Sequence, residues 1–233
     1  MMRFFVHFHP RCSRVVSSFG RVCTTYGRGR LDGGRRRESS RKDSKEIGEM
    51  LIVWHSRTGQ AEEMSEAMEA SALRVIEELH EDVDGGDDRL RVRRLRAKET
   101  TSEDILRARG YVFCAPENLA STSGEMLEFF HRCYYDIFDT VGEPGTASYE
   151  ETSNIIGRPY GIAVAAGSDG TQAAKQMTRI ATGWRLSPVC DPVVVRNGLI
   201  QTAHNILSEK SCPVDGLKRC EEVGGLVAAT LLL

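Results

Sequence analysis

From residue 50 onward, short apolar runs alternate with longer stretches in which apolar residues recur every three or four positions. Leu51 to Trp54 is an unbroken apolar run, which predicts a buried strand. Beyond a polar break, Met64, Met68, Ala72, Val75 and Leu79 recur at helical spacing while Glu62, Glu63, Glu66 and Glu69 fill the other sides, so an amphipathic helix is expected from about Gln60. Residues 82–88, with Gly85-Gly86, read as a turn, and Leu90 to Leu95 alternates apolar with Arg like an edge strand with one wet face. A short helix over 102–108, capped by Thr101 or Ser102, leads to a third strand over 110–116 that Pro116 should halt. Residues 117–124 read as a polar loop before a helix over 125–135 whose Met126, Phe129, Phe130 and Tyr134 face inward. A polar insertion over 142–154, rich in turn formers, precedes a fourth strand over 160–166 and a helix over 171–182. The fifth strand is expected over 192–196. The last helix runs from near Pro213 to Leu232, with Leu217, Val223, Leu226 and Val227 turned to the core.

Strands followed one by one by helices give a parallel sheet covered on both faces, because right-handed crossovers place the helices there. The fold class is therefore α/β, a doubly wound five-stranded parallel sheet of order 2-1-3-4-5. Its ligand site lies at the carboxyl ends of the strands, beside the switch point between strands 1 and 3. Three polar loops fall at that end, 56–60, 116–123 and 167–171, whereas the 82–88 turn and the 142–154 insertion fall elsewhere.

Composition divides the chain in two. The 233 residues carry 31 Lys and Arg against 33 Asp and Glu, a net charge of −2. Residues 1–48 hold ten Arg and two Lys against four acids, a net of +8 that leaves −10 for the remainder. Up to Leu31 there are six Arg and no acid, a composition that suits a mitochondrial or plastid transit peptide, and residues 27–45 read as a solvated linker. Two other readings of this leader stay open: a tail with no address, or residues upstream of a true start at Met50, with the protein then cytoplasmic. The domain boundary is placed at 47/48. Arg35-Arg36-Arg37 has no aromatic platform beside it, so no nucleic-acid partner is expected. No apolar run approaches the roughly 20 residues of a membrane span. The seven cysteines are scattered without a C-x-x-C pair or a Cys/His cluster, so neither a disulfide framework nor a metal site is expected. Cys190 and Arg196 have the spacing of a thiol phosphatase loop, but the residues between them read as a strand.

The chemistry concentrates after the first strand. Ser56-Arg57-Thr58-Gly59 leads directly into a helix start, where N–H groups lack intrahelical partners and carry roughly half a positive charge, a setting for a phosphate. Ser56 and Thr58 add hydroxyl donors, and Gly59 lets the backbone come close. Neither G-x-x-x-x-G-K-[ST] nor G-x-G-x-x-G is present at this loop. Hydroxyls also cap ordinary helices, so the loop alone supports either role. His55 reads as a packing residue or an acid/base, Asp169 as a helix cap or a proton donor, Trp184 as a packing aromatic, and Cys114 as an inert buried thiol.

His55-Ser-Arg-Thr-Gly-Gln60, Pro116-Glu-Asn-Leu-Ala-Ser121 and Ala166-Gly-Ser-Asp-Gly170 together resemble the flavodoxin-like superfamily, and within it the NAD(P)H-dependent FMN and quinone reductases. The resemblance covers nearly all of residues 50–232. It implies that Ser56, Thr58 and Gly59, with the backbone of Arg57 and Gln60, bind the FMN phosphate, Arg57 adding charge. It implies that Pro116, Glu117, Asn118, Leu119, Ala120 and Ser121 line one edge of the isoalloxazine ring, and that Gly167, Ser168, Asp169 and Gly170 bring amides to its pyrimidine end. It further implies FMN as cofactor, NAD(P)H as co-substrate, a quinone, free flavin or other small-molecule electron acceptor, and a homo-oligomer. Within the same fold, a one-electron carrier serving a protein partner and a flavin-free binding domain are the alternatives. Two departures stand out: loop 116–123 has no Trp or Tyr to stack on the ring, and Gln60-Ala61 stands where many members have Asn and Thr. Either Leu119 or Pro116 covers the ring, or its face stays open for a nicotinamide or quinone.

Overall fold

The computed structural model describes residues 48–80, 90–141 and 150–233. The leader expected over 1–47 and the turn expected over 82–88 lie outside the described residues. Strand β1 (Glu49–Trp54) is wholly buried and sits centrally, flanked in parallel by β2 (Arg91–Arg96) and β3 (Gly110–Asn118). β3 pairs in parallel with β7 (Pro159–Ala166), and β7 with β9 (Val193–Arg196). These five strands have the expected order, 2-1-3-4-5 when numbered among themselves. The fifth position is split, since β8 (Ser187–Pro188) pairs with the start of β7 and β9 with its end, residues 189–192 interrupting the edge.

Helices α1 (Gln60–His80) and α5 (Val214–Leu232) cover one face of the sheet, over Met50, Ile52, Trp54, Val112 and Cys114. Helices α2 (Ser102–Arg107), α3 (Gly124–Tyr134) and α4 (Thr171–Gly183) cover the other. On that side Phe113 meets Phe130 at 5.1 Å and Trp184 edge-on at 6.3 Å between ring centroids. Trp184 is thus a core aromatic, as its sequence context suggested. The two faces follow from the sequence because β1, β3 and β7 are apolar at nearly every position, which only a sheet buried on both sides requires. β2 is the exception. Its Arg93 pairs with Glu49 at 3.1 Å and Asp104 at 2.9 Å, and its Arg94 with Glu69 at 2.8 Å, so the edge is closed by charge. α1 and α5 approach closely at Gly224, where a Cβ would lie 2.2 Å from the Met68 carbonyl oxygen.

Several boundaries differ from expectation. Pro116 does not halt β3: it is in register with Ala165 of β7, after which Glu117 and Asn118 pair antiparallel with β4 (Ser121–Thr122). A proline removes only one donor, and the strand departs from β7 just beyond it. Of the polar insertion expected over 142–154, residues 142–149 lie outside the described residues, and its end forms β6 (Glu150–Ser153), which pairs antiparallel with β5 (Phe138–Val141) just before the insertion. Tyr134 and Leu226, expected in the core, are nearly half exposed, each on the outer side of its helix.

Candidate functional site

The loop after β1 is a locked turn. Gly59 has φ +95°, which excludes an L side chain without strain, and its N–H donates to Ser56 Oγ at 3.0 Å. Its carbonyl accepts from Glu62 N and Glu63 N at 2.9 and 3.1 Å, which starts α1. The far side of the turn is held by the connection 197–213 between β9 and α5. Lys210 N donates to Thr58 O at 2.7 Å, and Cys212 N donates to a Glu63 carboxylate oxygen at 2.6 Å. Lys210 is 6% exposed, and its ammonium spends its donors on the carbonyls of Asn205, Ile206 and Ser208 at 2.8–3.1 Å. What remains is a loop whose Thr58 hydroxyl and Arg57 guanidinium have no partner among the described residues, with the buried Lys210 charge nearby. Ser56, by contrast, uses its oxygen as an acceptor and keeps its O–H to donate. The Gln60 side chain turns away, its Nε2 donating to Val195 O at 3.0 Å and its Oε1 accepting from Asn197 at 3.4 Å.

The second loop is a two-residue hairpin joining β3 to β4. Leu119 and Ala120, at φ 52° and 58°, give the backbone of a type I′ turn, which ordinarily selects Asn and Gly. Two non-glycine residues there store roughly 1–2 kcal/mol each. The turn presents Leu119 fully exposed, while Ser121 Oγ is tied to Gln176 Oε1 at 2.8 Å. His55 clasps this loop to the first: its Nδ1 lies 2.8 Å from Ser123 Oγ, the N-cap of α3, and its Nε2 lies 3.7 Å from Glu125. Burial holds the imidazole pKa below its ordinary value, with Arg57 and Arg96 adding to the shift against the opposing pull of Glu125. His55 therefore sits as a neutral ring above pH 6.5, serving as a packing and bridging residue.

At the third loop only Gly167 reaches the site. Asp169 Oδ1 accepts from Thr171 Oγ1 at 2.7 Å, and Gly170, at φ +75°, is the N-cap of α4 with no side-chain cap bond. A Cβ on Gly170 would lie 2.5 Å from Val194 Cγ1, so this turn is packed against β9 rather than facing the opening. Asp169 thus steadies the turn through Thr171 and does not cap α4 itself.

These loops meet in one cleft of ≈ 420 Å³ at the carboxyl ends of β1, β3 and β7. It brings together Ser56, Arg57, Thr58, Gln60, Pro116, Glu117, Asn118, Leu119 and Gly167. Gly59, Ala120, Ser121, Ser168, Asp169 and Gly170 shape it without lining it. The sequence reading missed one whole wall, made by Asn197, Gln201, Ile206, Leu207 and Lys210 of the 197–213 connection. The available signal was length, since a structureless connection of this size in a compact α/β domain is uncommon and is often functional. Among the described residues, none that lines the cleft is aromatic. Cys114, at the end of β3, is fully buried, its thiol pKa pushed well up by burial, which fits the inert role expected of it.

The sequence matches no protein-family model and no curated protein. Solved structures do resemble it. A flavodoxin from the domain Archaea aligns with TM-score 0.55 at 11% identity, covering 79% of this chain and 99% of that one. The fold is flavodoxin-like. The two-electron reduced flavodoxin of Megasphaera elsdenii gives TM-score 0.51 at 15% identity, over 77% of this chain and 98% of its own. The flavodiiron protein of Giardia intestinalis gives 0.55 at 9% identity, over 81% of this chain but 37% of that longer one. Among the described residues, no helix of this flavodoxin-like domain is long and apolar enough to cross a membrane.

Proposed function

We propose that this chain is an FMN-binding oxidoreductase that takes reducing equivalents from NAD(P)H and passes them to a small acceptor such as a quinone or free flavin. The observation that carries the proposal is the cleft at the switch point. A turn with a left-handed glycine, a Thr58 hydroxyl and an Arg57 guanidinium without partners among the described residues, and a helix start meets the needs of a phosphate, and the ≈ 420 Å³ cleft lies within the roughly 300–1,000 Å³ usual for cofactor sites. The residues present fit FMN at its phosphate end, where Thr58, the Ser56 O–H and Arg57 would hold it beside the start of α1. Pro116 to Leu119 would flank the ring.

The hydride and electron chemistry belongs to the cofactor. The chain's part is to anchor the phosphate, hold the ring edge on a stiff hairpin, and leave room above it. With no aromatic in the lining among the described residues and Leu119 projecting at the rim, a second planar molecule has access to the ring, and this favours a reductase over a carrier closed to small substrates. The exposed Leu199, Ile200 and Leu207 beside the cleft suit an apolar acceptor. The test is oxidation of NADH and NADPH by the FMN-reconstituted protein with a water-soluble quinone. Turnover that depends on added FMN supports the reductase reading; FMN binding without turnover leaves the carrier, and absence of FMN binding leaves the flavin-free domain.

A further inference from the structure

The wall that the sequence reading missed presents one unpaired polar group to the cleft. Gln201 is exposed, lines the cleft, and has no hydrogen-bond partner among the described residues. Its backbone is nonetheless fixed. The Asn205 carboxamide brackets it, Nδ2 donating to Ile200 O at 2.9 Å while Oδ1 accepts from Thr202 N at 2.7 Å. Asn197 in turn accepts from Leu199 N at 3.0 Å and reaches Gln60 at 3.4 Å, and Lys210 Nζ holds Asn205 O at 3.1 Å. A chain segment pinned on both sides of a residue whose own side chain is left unsatisfied is preorganised to offer that side chain to a ligand.

Gly167 fixes where the carboxamide lies. A Cβ on Gly167 would fall 1.5 Å from Gln201 Nε2, 2.4 Å from Cδ and 3.0 Å from Oε1, so the amide rests on the glycine backbone and any other residue there would expel it. Ser168, Asp169 and Gly170 do not line the cleft, and the Asn197 carboxamide is engaged with Gln60 and Leu199 N, which leaves Gln201 as the unengaged polar side chain at the β7 end among the described residues. A carboxamide offers a donor and an acceptor side by side. The matching ligand edge is an imide, a ring N–H next to a carbonyl.

This rests on the FMN reading above. We propose that Gln201 reads the imide edge of the bound flavin, Oε1 accepting from the ring N3–H and Nε2 donating to an adjacent ring carbonyl, with Gly167 the residue that admits it. Gln201 is then a specificity-determining residue, and its role is visible in equilibrium binding without any turnover.

The experiment compares FMN with N3-methyl-FMN, which lacks the imide proton, by flavin fluorescence titration of the full-length apoprotein. The parent should bind FMN roughly tenfold more tightly than the methylated form, the weight of one or two neutral hydrogen bonds. Gln201→Leu should abolish that preference, and since Gln201 is exposed the variant should fold. Gly167→Ala, which displaces the amide without removing it, should do the same. A methylation penalty unchanged in Gln201→Leu overturns this inference while leaving FMN binding and the functional reading in place. A parent that binds no FMN removes both, so the two failures are told apart.

Discussion

Gly224 and Gly225 are neighbours in α5, and opposite responses to the same substitution are expected of them. A Cβ on Gly224 would lie 2.2 Å from the Met68 carbonyl oxygen and 2.7 Å from its carbonyl carbon and Cα, all backbone of α1. Ordinary contact needs about 3.5 Å, so the two helices would have to part by roughly 1 Å. Overpacking against backbone, which cannot swing aside, costs about 2–3 kcal/mol, the upper part of the usual range, against a helix-propensity gain of about 1 kcal/mol for Gly to Ala. Gly224→Ala should therefore lose about 1–2 kcal/mol net, lowering Tm by about 2–8 °C in a domain of this size. A Cβ on Gly225 meets only side-chain atoms, Ser71 Oγ at 3.1 Å and Val75 Cγ2 at 3.4 Å, and these can give. Gly225→Ala should be neutral or stabilising by up to about 1 kcal/mol. Thermal unfolding followed by circular dichroism, with urea titration as a second measure, checks both. If Gly224→Ala proves as stable as the parent, or Gly225→Ala the more harmful of the two, α1 and α5 are not in the close contact described.

Three further outcomes concern the cleft. Ser56→Ala should weaken FMN more than Thr58→Ala, because Ser56 also accepts the Gly59 N–H; each lost bond to the phosphate is worth about 1.5–3 kcal/mol, read by fluorescence titration. Arg57→Ala should weaken FMN but not riboflavin and should flatten the salt dependence of FMN binding, the effect staying near 1 kcal/mol because the side chain is exposed. The His55 pKa is lowered in the folded protein, so the stability it contributes is full above pH 6.5 and is lost as pH falls below that value; urea midpoints at pH 7.5 and 5.5 should differ less in His55→Gln than in the parent.

The sheet order was legible because β1, β3 and β7 are short apolar runs separated by helices of clear period, and the start of α2 was legible from Thr101, one of the two caps expected for it, whereas the Ser123 cap of α3 lay unnoticed in a polar loop. The hairpin at 117–122 was not, since Leu119-Ala120 carries none of the residues that a type I′ turn selects, and the turn is imposed by pairing on either side of it. The β5–β6 pair was hidden by a polar sequence with no alternation to read. At the site, Ser56 to Gly59 announced themselves by residue type. The wall from Asn197 to Lys210 did not, because its role depends on side-chain clamps, Asn205 on its own loop and Lys210 on nearby carbonyls, that have no sequence period. The third loop misled for a related reason: Gly170 looks like a cradle but is a glycine forced by packing on Val194.

On the FMN reading, a phosphate-bearing flavin is held at the turn 56–59. Gly59 has φ +95°, and a Cβ there would lie 3.3 Å from the Lys210 carbonyl oxygen, so valine both strains the turn by about 1–2 kcal/mol or more and crowds the space that the phosphate needs. The direct measurement is titration of refolded apoprotein, parent and Gly59→Val, with FMN and with riboflavin, following flavin fluorescence, after circular dichroism has established that both are folded. The parent should bind one FMN, with riboflavin far weaker, and Gly59→Val should retain none. A folded Gly59→Val that binds FMN as tightly as the parent, or a parent that does not distinguish FMN from riboflavin, would contradict that reading.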